Sequence, residues 1–455
     1  MSKSRDYRQL KMTADPVEGS DMATGYGPIL KNKIIDISKR LSKSRQTIRS
    51  VSALLGSNIT SSVLGAVGGL MVARFLGPEV TGLFRAYTIS LTYLIFLHLG
   101  TWDGLWRQIP YFVGKENQEM VDEIASTAGA FNFILSGFVT VGFICCAAYS
   151  YANHNIYGVF GWLSQAVCCW GIFYGGYLTS TYRTLNHFVT LARINVSQAV
   201  LIFGMVFLLP FIGFYGLCAR AALPWISTLW LLHRFRPLRV RYRFKPKVLW
   251  DLIKIGLPFS FWGNLYTSAW LATESALVLT LSGVTALGLF FVAVVMRNAV
   301  NSFPMAIWQV LTPRVVTSFA RDGSVRNANA RVIWVTVGLT GFMIIFALLG
   351  SFLLEILVPV FIPKYVAGIP VMKVCLWFPV VQAAFLPMNI LFATGKHWIY
   401  GRSVIVGIVV FGLSTYLLLS MMGGLLAVAV GSLAGRAVRT FAAYLDLISL
   451  AKREK

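Results

Sequence analysis

Charge is scarce in this chain, at 13% of its 455 residues against the roughly 25% of an ordinary soluble domain, which excludes a water-soluble globular protein. Carboxylates are scarcer still, with 17 Asp and Glu against 40 Lys and Arg. No Walker loop, HExxH or other catalytic signature is present, and Ser, His and Asp are too scattered to nominate a triad. The chain is therefore not read as an enzyme. Cysteines are few: Cys145, Cys146, Cys168, Cys169, Cys218 and Cys375 fall inside apolar segments and show no metal-ligand spacing with the five histidines, so they read as small buried hydrophobes. The polar start, from Met1 to Pro28, lacks the apolar core of a cleavable signal peptide and reads as disordered.

Apolar sequence is what the chain has in abundance, with 56% hydrophobic residues and a mean hydropathy of +0.68. About twenty apolar residues cross a hydrocarbon core roughly 30 Å thick, and the chain divides into twelve such runs. The first six are Val51 to Phe75, Leu83 to Trp106, Ile124 to Tyr149, Gly158 to Tyr182, Val189 to Ile212 and Tyr215 to Leu232. The second six are Leu249 to Leu281, Leu287 to Leu311, Val332 to Val358, Val366 to Phe392, Val404 to Leu419 and Met422 to Ile448. The net charge of +23 arises from cations at the ends of these runs, the positive-inside pattern, and no nucleic-acid-reading module accompanies it. Connections after even-numbered runs carry or adjoin Lys115, Arg183, Arg193, Arg314, Arg321, Arg326, Arg331, Lys396 and Arg402. Those after odd-numbered runs are nearly free of cations, with Arg74, Arg85 and Lys364 the exceptions. Both termini are thus expected on the cytoplasmic face of the inner membrane.

Two basic segments frame the runs. From Leu30, the apolar residues Leu30, Ile34, Ile37 and Leu41 recur at helical spacing among Lys31, Lys33, Lys39, Arg40 and Lys43, which reads either as a helix lying on anionic lipid or as a solvated anchor for the first run. Residues 233–248, beginning His233-Arg234-Phe235-Arg236-Pro237, are the densest run of positive charge. They read as a cytoplasmic linker between a first bundle, 51–232, and a second, 249–448, preceded by a segment 1–50 and followed by a tail 449–455. The two bundles echo each other. Gly82-Leu83-Phe84 returns as Gly288-Leu289-Phe290, Phe203-Gly204 as Phe411-Gly412, and Gly216-Leu217-x-Ala219-x-Ala221 as Gly424-Leu425-x-Ala427-x-Ala429. An ordered set of matches at nearly constant offset points to duplication. Copies with an even number of runs share one orientation, so a pseudo-twofold along the membrane normal is expected, with a transport path between the halves.

Further residues then carry a resemblance. Ala73-Arg74-Phe75-Leu76-Gly77-Pro78 precedes Gly82-Leu83-Phe84; Lys254-Ile255-Gly256-Leu257-Pro258 opens the second half; Leu311-Thr312-Pro313, Phe361-x-x-x-Tyr365 and Ala393-Thr394-Gly395-Lys396 follow in order. In this pattern, which covers nearly all the chain after residue 50, the sequence resembles the polysaccharide transporter branch of the MOP superfamily, which holds Wzx-type oligosaccharide flippases, the lipid II flippase and MATE exporters. The resemblance implies an all-α polytopic membrane protein, a V-shaped pair of six-helix bundles, that flips an undecaprenyl-type lipid-linked oligosaccharide by alternating access. Glu274, where the family often has Asp, and Arg297 depart from its pattern.

Charges inside the runs are the candidate site, because each is costly unless it meets a cavity or a partner. Arg85, Thr88, Thr92, Phe96, Gly100, Asp103 and Arg107 recur at three- and four-residue steps, a stripe about 33 Å long if the helix is continuous. The competing structural reading pairs Asp103 with Arg107 and turns the threonines onto their own backbone. Arg297, near mid-membrane with Asn301 one turn on, is the leading candidate for the substrate diphosphate, since a guanidinium fork suits phosphate oxygens; the alternative is an ion pair with Glu274. Arg220, Lys373 and Arg74 complete the cationic set. Asp103 and Glu274 are the candidates for coupling to H+ or Na+, against the commoner outcome of a carboxylate held by arginine. Gly65-x-x-x-Gly69 is a helix-packing feature. No bound cofactor or metal is expected.

The leading expectation is a flippase for a lipid-linked oligosaccharide, in contact with membrane lipids and with polysaccharide polymerase or export proteins as partners. A MATE-like exporter of small cations shares the fold but calls for an acidic cavity. A membrane-embedded glycan polymerase calls for a large outer loop, which the sequence lacks. A scaffold in a polysaccharide assembly complex would use the basic segments as docking surfaces.

Overall fold

The computed structural model describes residues 52–54, 56–322, 325–388 and 397–453. The basic helix expected from Leu30 to Lys43 lies outside them, as does the Ala393 to Lys396 motif. Apolar segments of this length cross a bilayer as helices because hydrocarbon offers no partner to backbone N–H and C=O groups. Ten helical runs are long and apolar enough, and no strand occurs among the described residues. Large side chains such as Phe211 and Trp334, 85% and 80% exposed, face outward as lipid-covered surfaces do.

Two of the ten runs are hairpins. Within Phe188–Arg234, Gly213 leaves helical geometry at φ 50°, and Nε of Arg220 reaches the carbonyl of Ile202 at 3.1 Å. A continuous helix would hold these residues about 27 Å apart. Within Pro246–Trp308 the reversal is at Gly283, φ 82°, a left-handed conformation open to glycine without cost. It brings Arg297 to 3.0 Å from Glu274, against about 35 Å along a straight helix. The ten runs thus make twelve crossings, named here as spans in chain order. Span two, Pro78–Gly114, and span ten, Pro363–Ala384, are each built from shorter helices.

The internal repeat reappears as a contact. A Cβ on Gly82 would overlap the carbonyl of Val284, and one on Gly288 would overlap the carbonyl of Pro78. These are reciprocal positions: the start of span two meets the start of span eight through the same motif from each half, as an isologous contact about a twofold requires. On the opposite side, where the linker lies, Gly104 in span two comes against the carbonyl of Leu252 in span seven, and Gly256 against that of Gly100. Where span eight runs beside span one (Ser52–Phe75), a cavity of about 310 Å³ is lined by Asn58, Ser61, Ser62, Ser302 and Met305. Of the Gly65 and Gly69 pair, Gly69 alone makes a close contact, with Val295; Gly65 has nothing within 4 Å.

The linker is docked, not a free tether. Its extended backbone puts Leu238, Val240 and Tyr242 half-buried and Arg239, Arg241 and Arg243 exposed, the period of two that a strand-like segment dictates. Ser126 at the head of span three donates to the carbonyl of Arg241 and accepts from the backbone N–H of Arg243 at 2.7 Å. The hydroxyls of Tyr242 and Tyr174 are 2.7 Å apart, and Lys245 pairs with Glu123 at 3.0 Å.

Candidate functional site

The densest buried charge lies inside the second half, where spans seven, eight and twelve converge. Glu274 in span seven is fully buried. One of its oxygens accepts from Arg297 of span eight at 3.0 Å; the other accepts from Arg436 of span twelve at 2.9 Å and from the hydroxyl of Ser432. Ser432, Arg436 and Arg439 recur at four- and three-residue steps, which puts them on one face of span twelve. A buried carboxylate is tolerated when charge-assisted hydrogen bonds replace its hydration, and here two guanidinium groups share one acid.

Arg439 pairs with no carboxylate among the described residues. It is 1% exposed, its guanidinium lies 3.5 Å from the ring centre of Tyr266 and 3.8 Å from that of Phe385, and its Nε and Nη2 lack a hydrogen-bond partner among the described residues. The rings supply cation–π attraction in place of hydration. The cluster of Glu274, Arg297, Arg436 and Arg439 is therefore strongly positive in sum. It borders a cavity of about 390 Å³ whose wall also includes Asn301, Trp308 and Gln382. The Oδ1 of Asn301 is likewise without a partner among the described residues. Met305 lines both this cavity and the cleft between spans one and eight, so the two adjoin.

Span two does not present a continuous stripe. Leu99 and Gly100, at φ 50° and 75°, break its helix, so residues before and after the break fall on separately oriented segments. The break follows from the backbone approach of Gly100 to Gly256 and Leu257. Before it, Thr88 and Thr92 donate to the carbonyls of Arg85 and Thr88. Arg85 is half-buried, 5.5 Å from the ring centre of Phe291 and within electrostatic range of Arg297. After it, Asp103 lies beside Ser260 and Arg107, and Arg107 stacks on Phe259 at 3.3 Å.

At the break, buried His98 stacks on Trp102 with centroids 4.0 Å apart. Its Nδ1 accepts from the N–H of Gly100 at 3.0 Å, and its Nε2 lies 3.1 Å from the hydroxyl of Ser260 and 3.0 Å from the amide of Asn264, both in the second half. Sequence reasoning weighed the histidines only as metal ligands and missed this one; it also missed Arg436 and Arg439. The helical spacing of Ser432, Arg436 and Arg439 was a usable signal. For His98 no local signal exists, because its partners come from the other half.

The remaining candidates lie elsewhere. Arg220 is spent on the Ile202 carbonyl inside the first half, where span five passes into a 3-10 turn at Met205–Leu208. Lys373 pairs with Glu355 in a largely exposed bridge. Arg74 is exposed at the end of span one.

No family model and no curated protein matches the sequence. Solved structures match it in fold. An inward-facing conformation of a multidrug resistance MATE family transporter of the MOP superfamily superposes with a TM-score of 0.74 at 15% identity, covering 87% of this chain and 95% of that one. An outward-facing conformation of such a transporter gives 0.62 at 14% identity, over 90% and 97%. A MOP superfamily transporter from Pyrococcus furiosus, described as having a binding pocket of reverse polarity that suggests a different function, gives 0.56 at 15% identity, over 89% and 96%. The architecture is the MATE-type fold of multi-pass membrane transporters. Neighbours of this fold have been solved in inward- and outward-facing conformations.

Proposed function

We propose that this chain is a flippase that moves a lipid-linked oligosaccharide of the undecaprenyl-diphosphate type across the cytoplasmic membrane, for export of a surface polysaccharide. The observation that carries the reading is the sign of the interior: Arg297, Arg436 and Arg439 against the single Glu274 around the second-half cavity, with Arg85 near by. An electropositive chamber favours an anionic headgroup and disfavours a cationic drug. The neighbour from Pyrococcus furiosus, whose pocket polarity is linked to a change of function, makes that sign a sensible discriminator on this fold. The linker and both termini face the cytoplasm, and the cleft between spans one and eight admits the headgroup. Glu274 is already satisfied by two arginines, so coupling to H+ or Na+ falls to Asp103.

The second reading, an ion-coupled exporter of small molecules, has the superposition on a multidrug transporter in its favour. Proteoliposomes separate the two. A fluorescent lipid diphosphate oligosaccharide should become accessible to an impermeant quencher at a rate that wild type supports. Arg436→Ala should slow this about ten- to a hundredfold, because it removes one cation from the chamber and one charged hydrogen bond from Glu274, worth about 1.5–3 kcal/mol. An imposed pH or Na+ gradient should accelerate wild type but not Asp103→Asn. Uptake of a cationic dye with no lipid movement would transfer the assignment to the exporter.

A further inference from the structure

His98 is a buried titratable side chain standing at the contact between the halves. The N–H of Gly100 can only donate, so the Nδ1 that receives it at 3.0 Å carries a lone pair and the proton of the neutral ring is on Nε2. The Ser260 hydroxyl accepts it there at 3.1 Å, beside the amide of Asn264. Asp103 lies by the same hydroxyl. The bond at Nδ1 closes the turn at Leu99 and Gly100, both at positive φ. A leucine keeps left-handed geometry only where its surroundings impose it. That turn is what lets Gly100 meet the backbone of Gly256 and Leu257. Trp102, with its ring 6° from parallel to the imidazole and its Nε1 donating to Asn132 at 3.1 Å, fixes the ring plane from the first half. In span seven the next turn, Leu265–Ala269, is a π-turn, a place where helices bend.

Few charges face the ring. Span three from Ile124 to Ala152 and span four from Ile156 to Tyr182 carry no Asp, Glu, Lys, Arg or His. Cys169 of span four, in one apolar cluster with Leu97 and Trp102, donates to the Ala166 carbonyl at 3.1 Å. Asp251 and Lys254 of span seven are exposed, and Arg107 stacks on Phe259. A proton and the Gly100 N–H therefore compete for one lone pair. In an imidazolium both nitrogens are donors, so Nδ1–H and the Gly100 N–H would face each other, while Nε2–H keeps Ser260 and the Asp103 carboxylate balances the new charge through it.

We propose that His98 is a proton-binding site of the transport cycle, at which proton uptake on Nδ1 opens the Leu99–Gly100 turn and frees span two from span seven. The proton comes from solution and forms an N–H bond; only the hydrogen bond from Gly100 is broken. The form with the turn open binds the proton more tightly, so falling pH favours it. The inference rests on the reading of the chain as an alternating-access transporter with Asp103 as its coupling acid, and is independent of the cargo.

The test uses the full-length protein in nanodiscs, in a background without native cysteine, with spin labels at Lys115→Cys and Lys247→Cys, exposed positions at the linker-side ends of spans two and seven. Distances are read from about pH 8 to about pH 5, where an imidazole changes charge. Wild type should shift its ratio of long to short distances about two- to tenfold, the net worth of one hydrogen bond. His98→Asn, whose Oδ1 accepts from the N–H two residues on as in an Asx turn and takes no proton, should keep the short distance at every pH. His98→Ala, with no acceptor, should populate the long distance at every pH; should it fail to fold, wild type against His98→Asn decides alone. Distances in wild type that ignore pH, or a pH response that survives in His98→Asn and vanishes in Asp103→Asn, would overturn the proposal. The two readings fail separately: pH-independent distances in protein that moves lipid remove the His98 site and keep the flippase, whereas pH-dependent distances without lipid movement do the reverse.

Discussion

Fully buried Glu274 holds two guanidinium groups, so its removal has a larger effect than that of either arginine's partner bond alone. Glu274→Ala is expected to destabilise the protein by about 3–5 kcal/mol, the usual cost of leaving buried charge uncompensated, seen as a fall in detergent melting temperature. The triple replacement Glu274→Leu, Arg297→Met and Arg436→Met should recover most of that stability, because a buried ion cluster is commonly replaceable by apolar groups of similar volume, while abolishing lipid movement. If the triple variant melts no higher than Glu274→Ala, the cluster is not the source of the loss. Pairing of Glu274 with Arg297 was one of two outcomes readable from opposite charges on successive runs. The third member of the network was not anticipated, although Ser432, Arg436 and Arg439 carry helical spacing in plain view. Their meeting with Glu274 depends on how span twelve rotates against span seven, and sequence periodicity gives a face without naming its neighbour.

Among the elements, the linker combines charge with packing. Its seven cations alternate with Leu238, Val240 and Tyr242, which turn inward, and Tyr242 packs among Phe133, Tyr174 and Tyr177. The period of two was present in the sequence; the aromatic pocket that receives it was not, since it is assembled from two spans. Tyr242→Ala should therefore release the strap. Limited trypsin digestion at the linker arginines is expected to speed up roughly tenfold or more, as local opening becomes cheaper, and Tyr242→Phe, which loses only the 2.7 Å hydroxyl contact, should fall between. Unchanged proteolysis in Tyr242→Ala would mean that the Ser126 and Lys245 contacts hold the strap by themselves.

For the whole molecule, the spans and the duplication were legible because hydrocarbon thickness fixes run length and because a repeat survives in sequence. Which ends of the halves touch was not legible, since both copies carry the same motif and the contact state is a property of the pair. The reciprocal packing of Gly82 and Gly288 closes the side opposite the linker, so enlarging either residue should act on the conformational equilibrium. Overpacking of about 1–3 kcal/mol changes the ratio of two states by roughly five- to 150-fold. Spin labels on the pseudo-equivalent pair Glu79→Cys and Thr285→Cys, in a background without native cysteine, report the separation on that side. Gly82→Val and Gly288→Val should each lengthen the distance distribution, and the double variant should add little, because both substitutions disrupt one contact. Additive lengthening, or none, would show that the motif packs the halves without controlling which side of the membrane is open.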